Sequence, residues 1–189
     1  MTILMSSVKQ SLKLRLNEKN LPKEDISFPA FKYEELVNED WEDSDFHSLI
    51  DKKFLFVFFQ FKDQELILKK VKFWNMPYED ILKAKKVWEE TQKVLREGNI
   101  VKEFKYDKNG KKLRVTNFPN KQFSDVAHVR PHAKNAEDTF PLPIKDKLTE
   151  ADNYTKHCFW LNAAYVRNEY TNYSFWLNAS YVRDEIFLK

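Results

Sequence analysis

Hydrophobic and polar positions change period several times along this chain, and each period predicts an element. Phe54 to Phe61, FLFVFFQF, is a continuous apolar run of strand length. Its aromatic richness predicts a strand covered on both faces at the centre of a sheet. A polar break at Lys62 to Gln64 leads into Glu65 to Phe73, ELILKKVKF, whose partial alternation predicts the hairpin partner. The period then lengthens to that of a helix. Asn75 is a candidate cap, Pro77 suits the first turn, Ile81, Ala84, Trp88, Thr91 and Leu95 share one face, and Gly98 ends it. Ile100 to Tyr106 and Leu113 to Phe118 flank Asp107 to Gly110, where Asn109-Gly110 signals a hairpin turn. Val126 to Arg130 reads as a short strand stopped by Pro131, and Pro141 and Pro143 mark a loop. Tyr154 to Glu169 reads as a closing helix with Phe159, Ala163 and Val166 on one stripe. Helices among antiparallel hairpins predict an α+β (mixed α/β) fold.

The last segment is duplicated. YTKHCFWLNAAYVRNE, Tyr154 to Glu169, is followed without a linker by YTNYSFWLNASYVRDE, Tyr170 to Glu185. Two short units cannot make a solenoid, which needs about three stacked repeats or more. The pattern predicts one domain over residues 1–169, with 170–189 an extra copy of the terminal helix, and only one copy in the core.

Composition narrows the class. The 189 residues are 42% hydrophobic and 32% charged, and a mean hydropathy of −0.66 fits a soluble globular chain. Cys158 is the single cysteine, which excludes an intrachain disulfide and a multi-cysteine zinc site and fits a reducing, cytoplasmic address. The opening MTILMSSVKQ is too briefly apolar for a signal peptide or a spanning helix. Only Gly98 and Gly110 are glycines, so a phosphate-cradling glycine loop is excluded.

A net charge of +3 says little by itself, but its distribution is uneven. Lys9 to Lys23 is basic, Glu24 to Asp51 is acidic and reads as a solvated helix or loop, and Val101 to Asn135 is basic again. That last stretch carries Lys102, Lys105, Lys108, Lys111, Lys112, Arg114, Lys121, Arg130 and Lys134 against Glu103, Asp107 and Asp125. It is the natural candidate for a phosphate-facing surface.

Candidate chemistry is sparse. Nucleases of the PD-(D/E)xK type need carboxylates for magnesium and a lysine two residues from one of them, on the same strand face. Asp51-Lys52-Lys53 and Glu103-Phe104-Lys105 offer such triplets, but chance supplies similar ones in a chain this charged, and surface charge at strand ends is the plainer reading. His128, His132 and His157 lack zinc spacing, and Cys158 reads as a small buried hydrophobe. Phe54 to Phe61 and Phe159-Trp160 fit core packing better than base stacking. His128 to Ala136, HVRPHAKNA, combines Arg130, Pro131, His132, Lys134 and Asn135 at a strand end. Arginine and asparagine are the residue types that read guanine and adenine edges, and an ordinary basic loop is the equal alternative.

The chain resembles the MutH-like family, which comprises a mismatch-repair endonuclease and type II restriction endonucleases specific for GATC. The resemblance rests on Ser11-Leu12-Lys13 before Arg15, SFPAF at Ser27 to Phe31, and NEDWEDSDF before Lys52-Lys53-Phe54. KFWNMP with the helix through Trp88, HVRPHAKNAEDTFPLP at His128 to Pro143 and YTKHCFWLNAAYV at Tyr154 to Val166 complete it. It implies a PD-(D/E)xK restriction-endonuclease-like core, a mixed sheet flanked by helices. Active members use Mg2+ held by acids that include a Glu-x-Lys glutamate. Here Ser11 stands in that glutamate's place while Lys13 is kept, and Lys52 or Lys53 matches a later lysine. The departure resembles the carboxyl-terminal, non-catalytic domain of two-domain GATC enzymes. It implies no catalytic residue, no metal and no cofactor for this chain, with Arg130, Pro131 and His132 reading bases and Lys134, Asn135 and Lys156 near phosphates. Implied partners are double-stranded GATC DNA and either a catalytic MutH-like domain or a second copy of the chain. Two other readings stay open: an active magnesium nuclease whose site is rebuilt by Glu103-Phe104-Lys105 or by unrecognised acids, and an interaction module without DNA binding.

Overall fold

A computed structural model describes residues 10–171. The aromatic run forms β3 (Phe54–Lys62), the middle strand of a three-stranded mixed sheet. It pairs in parallel with β1 (Gln10–Leu16) and antiparallel with β4 (Glu65–Trp74). Because side chains alternate, Phe54, Phe56 and Phe58 enter the main core, while Leu55 and Val57 join Val71 of β4 in a smaller cluster on the opposite face. Burial on both faces is what the unbroken apolar run required.

The second sheet is antiparallel. β10 (His157–Leu161) lies between β2 (Ile26–Ala30) and β7 (Ala127–Pro131), with His157 opposite Pro131 and Leu161 opposite Ala127. Two small hairpins complete the strands, β5 (Val101–Tyr106) with β6 (Lys112–Thr116) and β8 (Thr139–Pro141) with β9 (Asn153–Thr155). The α+β fold therefore holds, with the strands divided between two principal sheets.

Helices flank these sheets. α1 (Tyr33–Leu36), a 3-10 turn at Trp41–Asp43 and α2 (Asp45–Ile50) occupy the acidic segment, which is less solvated than its charge suggests: Tyr33, Trp41, Phe46 and Ile50 are buried. α3 (Tyr78–Arg96) buries the expected Ile81, Ala84, Trp88, Thr91 and Leu95. Its N-cap position is Pro77 rather than Asn75, with no side-chain cap bond. Its end follows the expectation. The Gly98 amide donates to the Leu95 carbonyl at 3.1 Å and the Asn99 amide to that of Val94 at 3.1 Å. Gly98 has φ +62°, and a Cβ there would stand 2.7 Å from the Lys145 carbonyl oxygen, so glycine is required.

One expectation fails. Tyr154 to Glu169 is not a single helix: its first half supplies most of β9 and all of β10, and only α4 (Ala163–Thr171) is helical. Phe159, Ala163 and Val166 match a helical stripe by coincidence of spacing. Pairing on both sides, with β2 and β7, decides the strand. The first copy is thus a strand-and-helix unit. α4 runs on into Tyr170 and Thr171, the first residues of the second copy, and Tyr170 packs edge-on against Phe58 at 4.7 Å. The rest of that copy lies outside the described residues. No helix among the described residues is long and apolar enough to cross a membrane.

Candidate nucleic-acid interface

Two neighbouring residues before β2 organise the surface. Glu24 and Asp25 share a groove of about 190 Å³ with Lys13 and Arg15 of β1, and with Pro22, Ile26 and Ser27. They point their charges differently. Glu24 accepts from Arg15 at 2.8 Å, an exposed pair. Asp25, only 5% exposed in its side chain, is the focus of the second sheet's edge.

Its Oδ1 accepts from the Ala163 amide at 2.8 Å, the first residue of α4, and from the Lys121 ammonium at 2.8 Å. Its Oδ2 lies 2.7 Å from Lys121 Nζ, accepts from Arg130 Nη1 at 3.2 Å, and lies 3.8 Å from His128 Nε2. Burial by itself would raise this carboxyl's pKa; the Lys121 ammonium, the Ala163 amide and the His128 ring outweigh it, and the group is held below its ordinary range. Sequence reasoning missed Asp25, because its partners come from residues 121 to 163 and no local motif announces them.

Arg130 closes the arrangement. Its guanidinium carbon is 3.8 Å from the Trp160 ring centroid on the neighbouring β10, cation over aromatic face, while 46% of the side chain stays exposed. His132 leans on the same ring at 5.4 Å. Phe159 is core, stacked on Phe46 at 4.1 Å, whereas Trp160 is the supporting plate for the loop, a role the sequence reading did not assign. His128 is buried, its Nδ1 within 2.5 Å of Asn162 Oδ1, and Asn162 Nδ2 donates to the Ser124 carbonyl at 2.9 Å. Burial lowers its pKa and favours the neutral ring.

The following loop is stapled to Lys156, just before β10. The His132 amide donates to the Lys156 carbonyl at 2.8 Å, and the Lys156 ammonium pairs with Asp138. Asp138 also accepts from the Lys134 amide at 3.0 Å, and Asn135 Oδ1 accepts from the amides of Glu137 and Asp138 at 3.1 and 3.0 Å. Asn135 thus shapes the loop, and Lys156 reaches a phosphate only by exchanging Asp138 for it. Pro131, His132 and Lys134 are exposed beside Arg130. On the β5–β6 hairpin, Lys102, Lys105, Lys108, Lys111, Lys112 and Arg114 are also exposed.

The nuclease residues are less organised. Ser11 and Lys13 face outward on β1, opposite Leu55 and Val57 of β3, and Lys52 and Lys53 immediately precede β3. Glu103 and Lys105 pair with each other at 2.9 Å on β5. Among the described residues no three His, Cys, Asp or Glu side chains are arranged to hold a metal. In the groove beside Lys13 both carboxylates already answer protein cations. Cys158 is fully buried and its thiol is pushed up to about 12 by burial, which suits a packing residue rather than a nucleophile.

Fold and site together describe a mixed α+β domain that presents a braced arginine and a basic loop from a sheet edge. No family model matches the chain. Over 82% of its length it is 37% identical to the type II restriction enzyme Sau3AI of Staphylococcus aureus, so its relationship is to a type II restriction endonuclease. The chain spans 37% of that protein's length.

Proposed function

We propose that this chain is a double-stranded DNA-binding domain of a type II restriction system. On this reading it has a MutH-like PD-(D/E)xK core, reads GATC, and acts as an effector without hydrolysing DNA. One observation carries it: Arg130 stands half-exposed at the end of β7, over the Trp160 ring and anchored by Asp25, beside a basic loop. Asp25 engages Nη1 alone, which leaves Nη2 and Nε to form two parallel bonds to guanine O6 and N7. Pro131 and His132 flank that fork, and Lys134, Asn135 and Lys156 with the β5–β6 hairpin supply contacts along the backbone. The partial coverage of the relative supports a domain acting beside a catalytic MutH-like domain or a second copy, in the cytoplasm where restriction operates.

The charge arrangement favours a silent role. Magnesium in an active nuclease would neutralise the scissile phosphate and activate water. Ser11 offers a hydroxyl where a carboxylate is needed, and Glu24 and Asp25 are paired with Arg15, Lys121 and Arg130. A second reading, hydrolysis, has one point in its favour: those two acids share the groove with Lys13. The test is a gel shift on GATC and scrambled duplexes beside a magnesium digest of a GATC plasmid. The proposal expects a preferential shift and an intact plasmid. Cleavage transfers support to the nuclease reading, and equal or absent shifts leave an interaction module.

A further inference from the structure

Asp25 does more than fill space at the head of α4. It joins four elements: the residue before β2, the Lys121 turn, β7 through Arg130 and His128, and the α4 amide of Ala163. Both cations it holds are about half exposed, while the carboxylate itself is almost wholly covered. A structural cap for α4 needs only the Ala163 bond. Nothing in that role requires two surface cations on the same carboxylate.

We propose that Asp25 is a specificity-determining positioning residue, which makes Arg130 and Lys121 poor ligands for phosphate and leaves Arg130 a good donor to a neutral base edge. The inference rests on the DNA-reading role proposed above. Its logic is electrostatic. An arginine already paired with a carboxylate has lost much of its attraction for a second anion, and the carboxylate repels an approaching phosphate. The donors left on the same guanidinium still bond to O6 and N7, acceptors on a base without net charge, which the carboxylate repels far less than it repels a phosphate. Trp160 supports the guanidinium from one side. Asp25 thereby suppresses sequence-independent gripping where sequence is read, and the lysines of the β5–β6 hairpin grip elsewhere.

Asp25→Asn keeps the volume and an oxygen for the Ala163 amide but removes the charge. On a scrambled duplex its affinity is expected to rise, with the slope of log affinity on log salt steepening by about one unit as a freed cation meets a phosphate. On the GATC duplex affinity is expected to fall or stay level, so the ratio of the two drops by about tenfold or more. In Asp25→Asn/Arg130→Ala the specificity loss should match that of Arg130→Ala alone, because the two act as one unit. A merely structural Asp25 would weaken both duplexes alike with an unchanged slope, and that result overturns the inference. If Asp25→Asn fails to fold, Asp25→Glu keeps the charge one methylene out of place; it should lower the ratio without steepening the slope, and an unchanged ratio overturns the inference. If the unaltered chain does not itself prefer GATC, the DNA-reading role falls and this inference falls with it.

Discussion

Glu24 and Asp25 are adjacent in sequence yet serve two regions in opposite states. Glu24 turns to Arg15 on β1, both partners more than half exposed, a contact worth at most about 1 kcal/mol in water. Asp25 turns the other way into a covered site where two cations, an amide and a histidine converge. The groove beside Lys13 therefore has the residue types of a nuclease site without their organisation, while the β7 edge is braced from beneath and from the side. What separates the two charged surfaces here is convergence on a common buried point. That point is Asp25, beneath Arg130, and no counterpart lies at Lys13.

The comparison breaks most severely if the brace is removed. Phe159 stacks on Phe46 beneath the second sheet, and Phe159→Ala should cost about 3 to 5 kcal/mol, seen as a shifted urea midpoint with an unchanged slope. Acid comes next. His157 is buried between Tyr33, Phe118 and Tyr154, and burial lowers its pKa to about 4 despite its bond to the Thr155 carbonyl. The unfolded chain takes up this proton near the ordinary value of about 6.5, while the folded chain resists until about pH 4. Stability should therefore fall as pH drops through that window, by roughly 3 kcal/mol from this residue. His157→Gln should flatten the dependence in urea melts at pH 7 and pH 5. Asp25, lowered instead, should hold its contribution until pH falls below the ordinary carboxylate range.

Smaller effects sharpen the contrast. Arg130→Ala should lose about 1 to 3 kcal/mol on GATC duplexes and almost nothing on scrambled ones in a titrated gel shift. An equal loss on both would make this edge an ordinary basic surface. Lys134→Ala should weaken both duplexes alike and flatten the salt dependence by about one unit. At the other region, calorimetry should find no tight stoichiometric magnesium near Lys13, and magnesium should leave DNA affinity almost unchanged; a tight site would erase the distinction between the two regions.

Sequence by itself determined the elements whose cause is local. The double-faced apolar run made β3, a 3.6-residue stripe made α3, and Asn109-Gly110 made the β5–β6 turn, where Gly110 takes φ +76°. The segment from His128 to Asn135 was legible as residue types at a strand end, and the mixed α+β class followed from the order of elements. Tertiary structure decided the rest. His157 to Leu161 reads as helix by spacing, and becomes strand because β2 and β7 satisfy its backbone from both sides, while Tyr154 and Thr155 pair with β8. Trp160 becomes a plate and Asp25 a hub because pairing across β10 and the start of α4 bring together groups from residues 25 to 163. Periodicity records which face of an element is apolar. It does not record which distant element covers that face, and a buried carboxylate acquires its role only when the chain has closed around it.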